Sequence, residues 1–145
     1  MAKYAQGFFE VQNPGKYIGK TKPRYRSGWE FTFMTFCDNN NSVLKWASES
    51  IRIPYRHPLT GKITTYVPDF FVVYENKYGA QKVEIVEIKP KKQSLIESRT
   101  ASAGERAVVA VNHAKWQAAT AYCKSQGMTF RVITEDDLFH TGKRK

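Results

Sequence analysis

Three charged side chains stand at the ends of two neighbouring apolar runs. Asp69 begins the run that continues F-F-V-V-Y, and Glu87 and Lys89 end the run V-E-I-V-E-I-K. Glu87 and Lys89 are two positions apart, so on a strand both side chains leave the same face of the sheet. If the two runs pair, Asp69 lies beside Glu87 and Lys89. Gathering these charges in one place destabilises the fold unless a cation binds among them. A hard divalent cation that shares its charge with a phosphate suits this set, which points to a metal-dependent nuclease.

The elements before this cluster are a helix and a set of strands. Ser27 is an expected N-cap, and apolar residues recur at helical spacing over 27–38. Alternating apolar and polar residues, separated by turn-forming loops, predict about four strands between Ser48 and Lys89. The simplest arrangement of these strands is an antiparallel meander.

The elements after the cluster are a second helix and a returning strand. Asn112 is predicted to cap a helix over about 113–126, and Gly127 occupies the position just past its end. The following run M-T-F-R-V-I is expected to rejoin the sheet in a parallel orientation. The order is α-β-β-β-β-α-β, which predicts a mixed α/β (α+β) fold with a central mixed sheet flanked by helices. The segment 93–111 is ambiguous, with part of it open to a helical interpretation.

The length and composition are those of one domain. We expect residues 1–145 to form it, with a basic, irregular N-terminal arm over 1–25 and a short basic tail over 142–145. Cys37 and Cys123 match no zinc or redox spacing and are expected to be reduced core residues. The N-terminus lacks the apolar region of a signal peptide, and no stretch is long enough to cross a bilayer. A soluble, cytoplasmic protein without a membrane partner is therefore expected.

The charge balance predicts a polyanionic partner. The chain has 23 Lys and Arg against 13 Asp and Glu, a net charge of +10. The cations cluster in the arm, in K-P-K-K and in the tail, and aromatic residues separate those of the arm. The predicted phosphate contacts, on what we expect to be double-stranded DNA, are Lys16, Lys20, Lys22, Arg24, Arg26, Lys91, Lys92 and Lys115.

The residues Pro68-Asp69 and Glu87-Ile88-Lys89, each beside a predicted strand, resemble the PD-(D/E)xK nuclease superfamily, and so does the order of the elements. The stretches R-S-G-W-E, L-K-W-A-S-E-S-I-R-I-P-Y and Y-V-P-D-F-F-V are similar to the TnsA-type endonuclease branch. They look most like the head-completion proteins of T-even-type tailed phages. The resemblance implies a restriction-endonuclease-like core and DNA cleavage at or near packaged ends.

The resemblance also implies roles for individual residues. Asp69, Glu87 and the backbone carbonyl of Ile88 would bind Mg²⁺, with Mn²⁺ as a substitute. Lys89 would position or activate the attacking water, and Glu30 would support the metal from the first helix. The implied partners are phage head or neck proteins and a possible second copy of the chain. The implied locations are the host cytoplasm during assembly and the head or neck of the virion.

Simpler interpretations compete with each of these roles. Ser27-x-x-Glu30 is a capping-box pattern, worth about 1 kcal/mol, in which Glu30 reaches back to the N-cap amide. Asp69 could end a turn, and Glu87 with Lys89 could form a solvated strand face. Lys115 could lie on a solvated helix face. At the level of function, the alternatives are a structural head-closure protein that holds DNA ends and an accessory DNA-binding subunit of a transposase-like complex.

Overall fold

The computed structural model describes residues 6–90 and 102–140, which form a mixed sheet with helices packed on it. Within these residues the elements, numbered along the chain, are β1 (Gly7–Phe8), β2 (Arg24–Tyr25), α1 (Gly28–Asn39), β3 (Val43–Ser48), β4 (Ile53–Arg56), β5 (Ile63–Tyr66), β6 (Phe70–Glu75), β7 (Gln81–Ile88), α2 (Ala103–Ser125), β8 (Thr129–Ile133) and α3 (Glu135–His140). None of these helices combines the length and the hydropathy needed to cross a bilayer.

The central sheet has the strand order β3-β6-β7-β8. The first three strands are antiparallel neighbours, and β8 joins β7 in parallel after the α2 crossover. This parallel return and the mixed α/β class confirm the expectations from the sequence. The predicted four-stranded meander is wrong, because β4 and β5 pair only with each other and form a separate two-stranded sheet. The segment between Ser48 and Lys89 does contain four strands, β4 to β7, as predicted, and β3 brings the number between α1 and α2 to five.

Two hydrophobic clusters hold these layers together. The larger one joins α1 to one face of the central sheet through Phe33, Trp46 and Phe70, each at most 5% exposed. The second joins α2 to the β4–β5 hairpin through Tyr66 and Ala119, among others. Burial of apolar side chains on both sides fixes where each helix sits on the strands.

The first helix forms as predicted, and the second is longer than predicted. Ser27 caps α1 by accepting a hydrogen bond from the Glu30 amide. The second helix begins at Ala103, and its cap is Ser102, which forms a capping box with Glu105. Asn112 is therefore a buried interior residue, and the prediction that it begins the helix is wrong. Local polarity at Asn112 suggested a cap, whereas the Ala- and Val-rich sequence around it continues the helix. Gly127 does follow the helix end, with a φ of 73°.

The N-terminal arm mostly lacks regular structure but is packed on the core. Phe9 is 5% exposed and makes an edge-to-face contact with the Trp46 ring. The fully buried carboxylate of Asp38, at the end of α1, accepts hydrogen bonds from the Gln12 and Asn13 amides. The apolar contact of Phe9 and the buried acceptor Asp38 are two of the contacts that anchor the arm, together with backbone hydrogen bonds between Trp46 and the segment 16–18. Its irregular sequence did not indicate this packing.

Candidate active site

The β6–β7 hairpin places the acidic residues of the candidate site side by side. Phe70 pairs with Val86, so one further step of the same register puts Asp69 level with Glu87. Residues directly opposite in an antiparallel pair point to the same face of the sheet. Glu84 leaves the other face and forms an ion pair of 3.2 Å with Arg131. The structure therefore brings Asp69 and Glu87 together and separates Glu84 from them.

Glu87 is buried and held by two neighbours. Its Oε1 accepts a hydrogen bond of 2.6 Å from the Tyr66 hydroxyl, and its Oε2 lies 3.6 Å from the Lys89 Nζ. Burial raises the pKa of Glu87, while Tyr66 and Lys89 both act to lower it. The Tyr66 hydroxyl is held as a donor, because burial and the charge of Glu87 raise the pKa of Tyr66.

Asp69 is held by the backbone of the strand beside it. Its Oδ2 accepts a hydrogen bond of 2.7 Å from the Ile88 amide, and its backbone carbonyl accepts one from the Glu49 amide. Burial raises the pKa of Asp69 well above its usual range, and the charges of Glu87 and Glu30 raise it further. Two acidic groups are therefore kept close together in surroundings that favour their neutral forms.

The donor chemistry of this pair suits a hard divalent cation. The second oxygen of Asp69 makes no hydrogen bond with the described residues, and the second oxygen of Glu87 has only the longer contact to Lys89. A cation would favour the ionised form of both groups, against the burial that raises both pKa values and the charge repulsion that further raises that of Asp69. Among residues 6–90 and 102–137, no group of three acidic, His or Cys side chains forms a metal site. Further ligands must then come from backbone, water or substrate, and the role of the Ile88 carbonyl stays a prediction.

Glu30 approaches the pair from the first turn of α1. Burial raises the pKa of Glu30, and the charges of Glu49 and Glu87 add to the rise. Its Oε1 accepts a hydrogen bond of 3.1 Å from the Arg26 amide, one residue before the cap. The reciprocal half of a capping box, a bond to the Ser27 amide, is therefore replaced by this contact. Glu30 caps the chain before the helix and also belongs to the electrostatic neighbourhood of Asp69.

Lys115 brings a second ammonium to the site from α2. Its Nζ lies 5.7 Å from the centre of the Tyr66 ring, a cation–π distance. Burial and the charge of Lys89 lower the pKa of Lys115, whereas Glu87 and Asp69 act to raise it. Trp116 lies beside Tyr66, but its buried indole nitrogen makes no hydrogen bond of good geometry with the described residues. Lys115 thus faces the acidic pair instead of lying on a solvated helix face.

The basic residues of the arm have different surroundings. Lys16 donates to the backbone carbonyls of Asp38 and Asn40, which is a structural contact at the end of α1. Lys22 pairs with Glu10 at 2.7 Å on the surface, and Arg24 stands over the Phe8 ring. Lys20 is exposed.

The three remaining predicted contacts lie at the site or outside the described residues. Arg26 pairs with Glu49 at 3.1 Å, and the charges of Glu30 and Asp69 also help to raise its pKa. Arg26 is therefore close enough to the acidic pair for the charge of Asp69 to affect its pKa. Lys91 and Lys92, like the tail over 142–145, lie outside the described residues.

Two residues of the site were not identified from the sequence. Tyr66 ends β5, and its position three residues before Asp69 was the available signal, although a strand tyrosine is common. Glu49 follows β3 with a φ of 50°, a conformation that non-glycine residues seldom adopt. Its amide bonds to Asp69 and its carboxylate to Arg26, so a strained backbone links β3 to the site.

Two comparisons with known proteins identify the family of the chain. Residues 40–135, which include Asp69, Glu87 and Lys115, match the model of the TnsA-like endonuclease N-terminal domain. The chain is also 34% identical over 142 residues to the head completion nuclease of Enterobacteria phage T4, an alignment that covers 91% of this chain and 92% of that protein. The chain belongs to the family of TnsA-like endonucleases.

Proposed function

We propose that this protein is a metal-dependent DNA endonuclease of the PD-(D/E)xK type. The observation that carries the proposal is the adjacent pair of the half-buried Asp69 and the buried Glu87, in which the protein holds one oxygen of each carboxylate by a short hydrogen bond. The remaining oxygens face a neighbourhood with two lysines. A carboxylate pair beside DNA repels phosphate unless a cation intervenes, so this arrangement suits metal-assisted hydrolysis better than simple DNA binding.

Asp69 and Glu87 would hold the metal, and we propose Mg²⁺, with Mn²⁺ as a substitute. When bound, the metal would make a water molecule more acidic and would stabilise negative charge on the scissile phosphate. The Ile88 amide and the Tyr66 hydroxyl fix the orientation of the two carboxylates. A ligand pair oriented in advance needs little rearrangement on binding.

The two lysines act on the phosphate side of the site. Lys89 pairs with Glu87 and offsets charge on the incoming phosphate, and it also positions the attacking water. Lys115 has a lowered pKa, so its ammonium releases a proton more readily than an ordinary lysine does. Glu30 adds a third carboxylate near Asp69 and supports the metal through water. Shifted pKa values are common at functional sites, and four groups of this site have them: Glu30, Asp69, Glu87 and Lys115.

The biological setting is proposed from the relative and from the charge. The head completion nuclease of phage T4 is similar along most of its length, so we propose that this chain also acts in phage head completion, on or near packaged DNA ends. It would then work in the host cytoplasm during assembly, associate with the virion head or neck, and contact head or neck proteins. A net charge of +10 supports a DNA substrate.

The test compares two glutamates of the same strand. Supercoiled and linear duplex DNA are incubated with wild type, Glu87→Gln or Glu84→Gln in Mg²⁺, Mn²⁺ or EDTA. Glu87→Gln removes a charge from the acidic pair and is expected to lower the cleavage rate by at least about a hundredfold. Glu84→Gln removes the same charge on the opposite face, where it breaks an ion pair with the half-exposed Arg131, and should leave cleavage unchanged.

The outcomes separate the candidate functions. Metal-dependent cutting that is lost in Glu87→Gln and kept in Glu84→Gln supports the endonuclease. Equal activity in wild type and Glu87→Gln refutes the site. Tight DNA binding without cutting under any metal would instead favour the structural protein that holds DNA ends.

A further inference from the structure

The β4–β5 hairpin carries a run of chain without any carboxylate. Between Glu49 and Asp69 the sequence has no acidic residue, whereas it has three cations, Arg52, Arg56 and Lys62. All three are exposed. Acidic residues do occur in α1, β6, β7 and α3, whereas this hairpin is a surface of one charge sign. We call the segment 52–66 the basic ribbon.

One face of the basic ribbon is buried and the other is open. Tyr55 and Tyr66 pack towards α2 in the second hydrophobic cluster. Because side chains alternate along a strand, Pro54 and Arg56 leave the opposite face, where they stand across from Thr65 and Ile63. All four of these residues are exposed. The helix therefore supports the ribbon from behind and leaves its other face available to a partner.

Two of the three cations of the basic ribbon have no partner within the described part of the chain. The side chains of Arg52 and Lys62 make no hydrogen bond or ion pair with the described residues. Arg56 donates to the Gly61 carbonyl at 2.6 Å and so stiffens the hairpin turn. Beside these cations two large apolar side chains are exposed, Leu59 at 63% and Ile63 at 62%. Free cations with apolar groups between them are typical of a nucleic-acid surface.

The basic ribbon is connected to the candidate site at its base. Tyr66, its last residue, donates to Glu87, and Asp69 follows three positions later. From Tyr66 to Lys62 an extended strand covers roughly 14 Å, at about 3.4 Å per residue. Phosphates along one DNA strand are spaced at about 3.4 Å of helix axis. Lys62 therefore lies about four phosphate spacings along the ribbon from Tyr66, the residue that contacts Glu87.

We propose that the basic ribbon is a duplex-binding arm that lies in a groove of the DNA beside the scissile phosphate. A two-stranded ribbon has the dimensions of the major groove. Arg52 contacts phosphate near the base of the ribbon and Lys62 contacts phosphate near its tip. This inference rests on the proposed function, because it assumes that the acidic pair acts on DNA.

The test measures the salt dependence of binding to a labelled 30-base-pair duplex in EDTA, where cutting does not occur. The double variant Arg52→Ala with Lys62→Ala removes two free cations from the basic ribbon. Each phosphate contact contributes about 0.9 to the slope of log affinity against log salt concentration, so this slope should fall by about two. The same arithmetic predicts affinity about 30-fold weaker at 0.15 M salt.

A matched control changes the same charge elsewhere. Lys77 lies in the β6–β7 turn and Lys82 near the start of β7, at the end of this hairpin far from Asp69 and Glu87. The double variant Lys77→Ala with Lys82→Ala should keep the wild-type slope. The charge-preserving pair Arg52→Lys with Lys62→Arg should keep it as well, which separates loss of charge from damage to the hairpin. Melting temperatures of all variants report whether they fold.

The outcomes distinguish this inference from the proposed function. A slope lowered only in the Arg52 and Lys62 alanine variant supports the duplex-binding arm. Equal slopes in the two alanine variants, with metal-dependent cutting by wild type, overturn the arm and leave the endonuclease standing. Wild type that neither binds nor cuts DNA overturns both.

Discussion

Replacement of Tyr66 by Phe tests how the site holds its carboxylate. The Tyr66 hydroxyl donates to Glu87 over 2.6 Å, and the two residues are 4% and 5% exposed. Phenylalanine keeps the ring that packs edge-to-face on Phe130 at 6.5 Å and faces Lys115 at 5.7 Å. The substitution therefore removes one buried hydrogen bond and changes little of the packing.

The expected cost depends on the charge of Glu87. A hydrogen bond to a charged group contributes about 1.5–3 kcal/mol, and one between neutral groups about 0.5–1.5 kcal/mol. Burial raises the pKa of Glu87, so without metal its ionisation lowers stability as pH rises through that raised pKa. The Tyr66 hydroxyl lowers this pKa and so reduces the loss. Tyr66→Phe should therefore cost about 1.5–3 kcal/mol at alkaline pH and about half as much where Glu87 is protonated.

The assay is urea unfolding in EDTA at pH 4.5 and pH 8.5. Tyr55→Phe is the control, because Tyr55 belongs to the same cluster and its hydroxyl makes no hydrogen bond with the described residues. Its cost should stay below about 0.5 kcal/mol at both pH values. A Tyr66→Phe cost that is the same at both pH values would show that the hydroxyl does not stabilise an ionised Glu87. A cost no larger than that of the control would refute the hydrogen bond itself.

Two further substitutions test carboxylates other than Glu87, namely Asp69 and Asp38. Asp69→Asn should raise the melting temperature of the metal-free protein at neutral pH, because the raised pKa of Asp69 means that its ionisation costs stability as pH rises. The gain in melting temperature should vanish below about pH 4, where the carboxyl group is protonated in both the folded and the unfolded protein. Scanning fluorimetry in EDTA measures the melting temperatures. A lower melting temperature at neutral pH would contradict this. Asp38→Ala should cost about 2–4 kcal/mol and expose the arm to limited proteolysis, because the Gln12 and Asn13 amides lose a charged acceptor at 2.7 and 3.2 Å. An arm as resistant to protease as in wild type would show that its other contacts, among them Phe9 and the backbone hydrogen bonds to Trp46, are enough to anchor it.

Several features of the fold were predictable because they depend on short stretches of chain. Ser27 and the apolar spacing that follows fixed the first helix, and the helix before M-T-F-R-V-I indicated a parallel return. The second helix was misjudged at Asn112, since a polar residue inside a helix resembles a cap when its burial is unknown. The pairing of β4 with β5 alone was also missed, because alternation predicts strands without saying which sheet they join.

The acidic pair could be predicted from local patterns in the sequence. Asp69 immediately precedes β6 and Glu87 lies on β7, and a short turn joins these strands, so the period of two and the register place the two residues opposite each other. The surroundings of the pair depend instead on long-range packing. Tyr66, Lys115 and Glu30 come from three elements that local patterns leave independent, and packing of α1 and α2 on the sheet brings them together. Hydrogen bonds and pKa shifts follow from distance and burial, which arise from contacts between residues far apart in the chain.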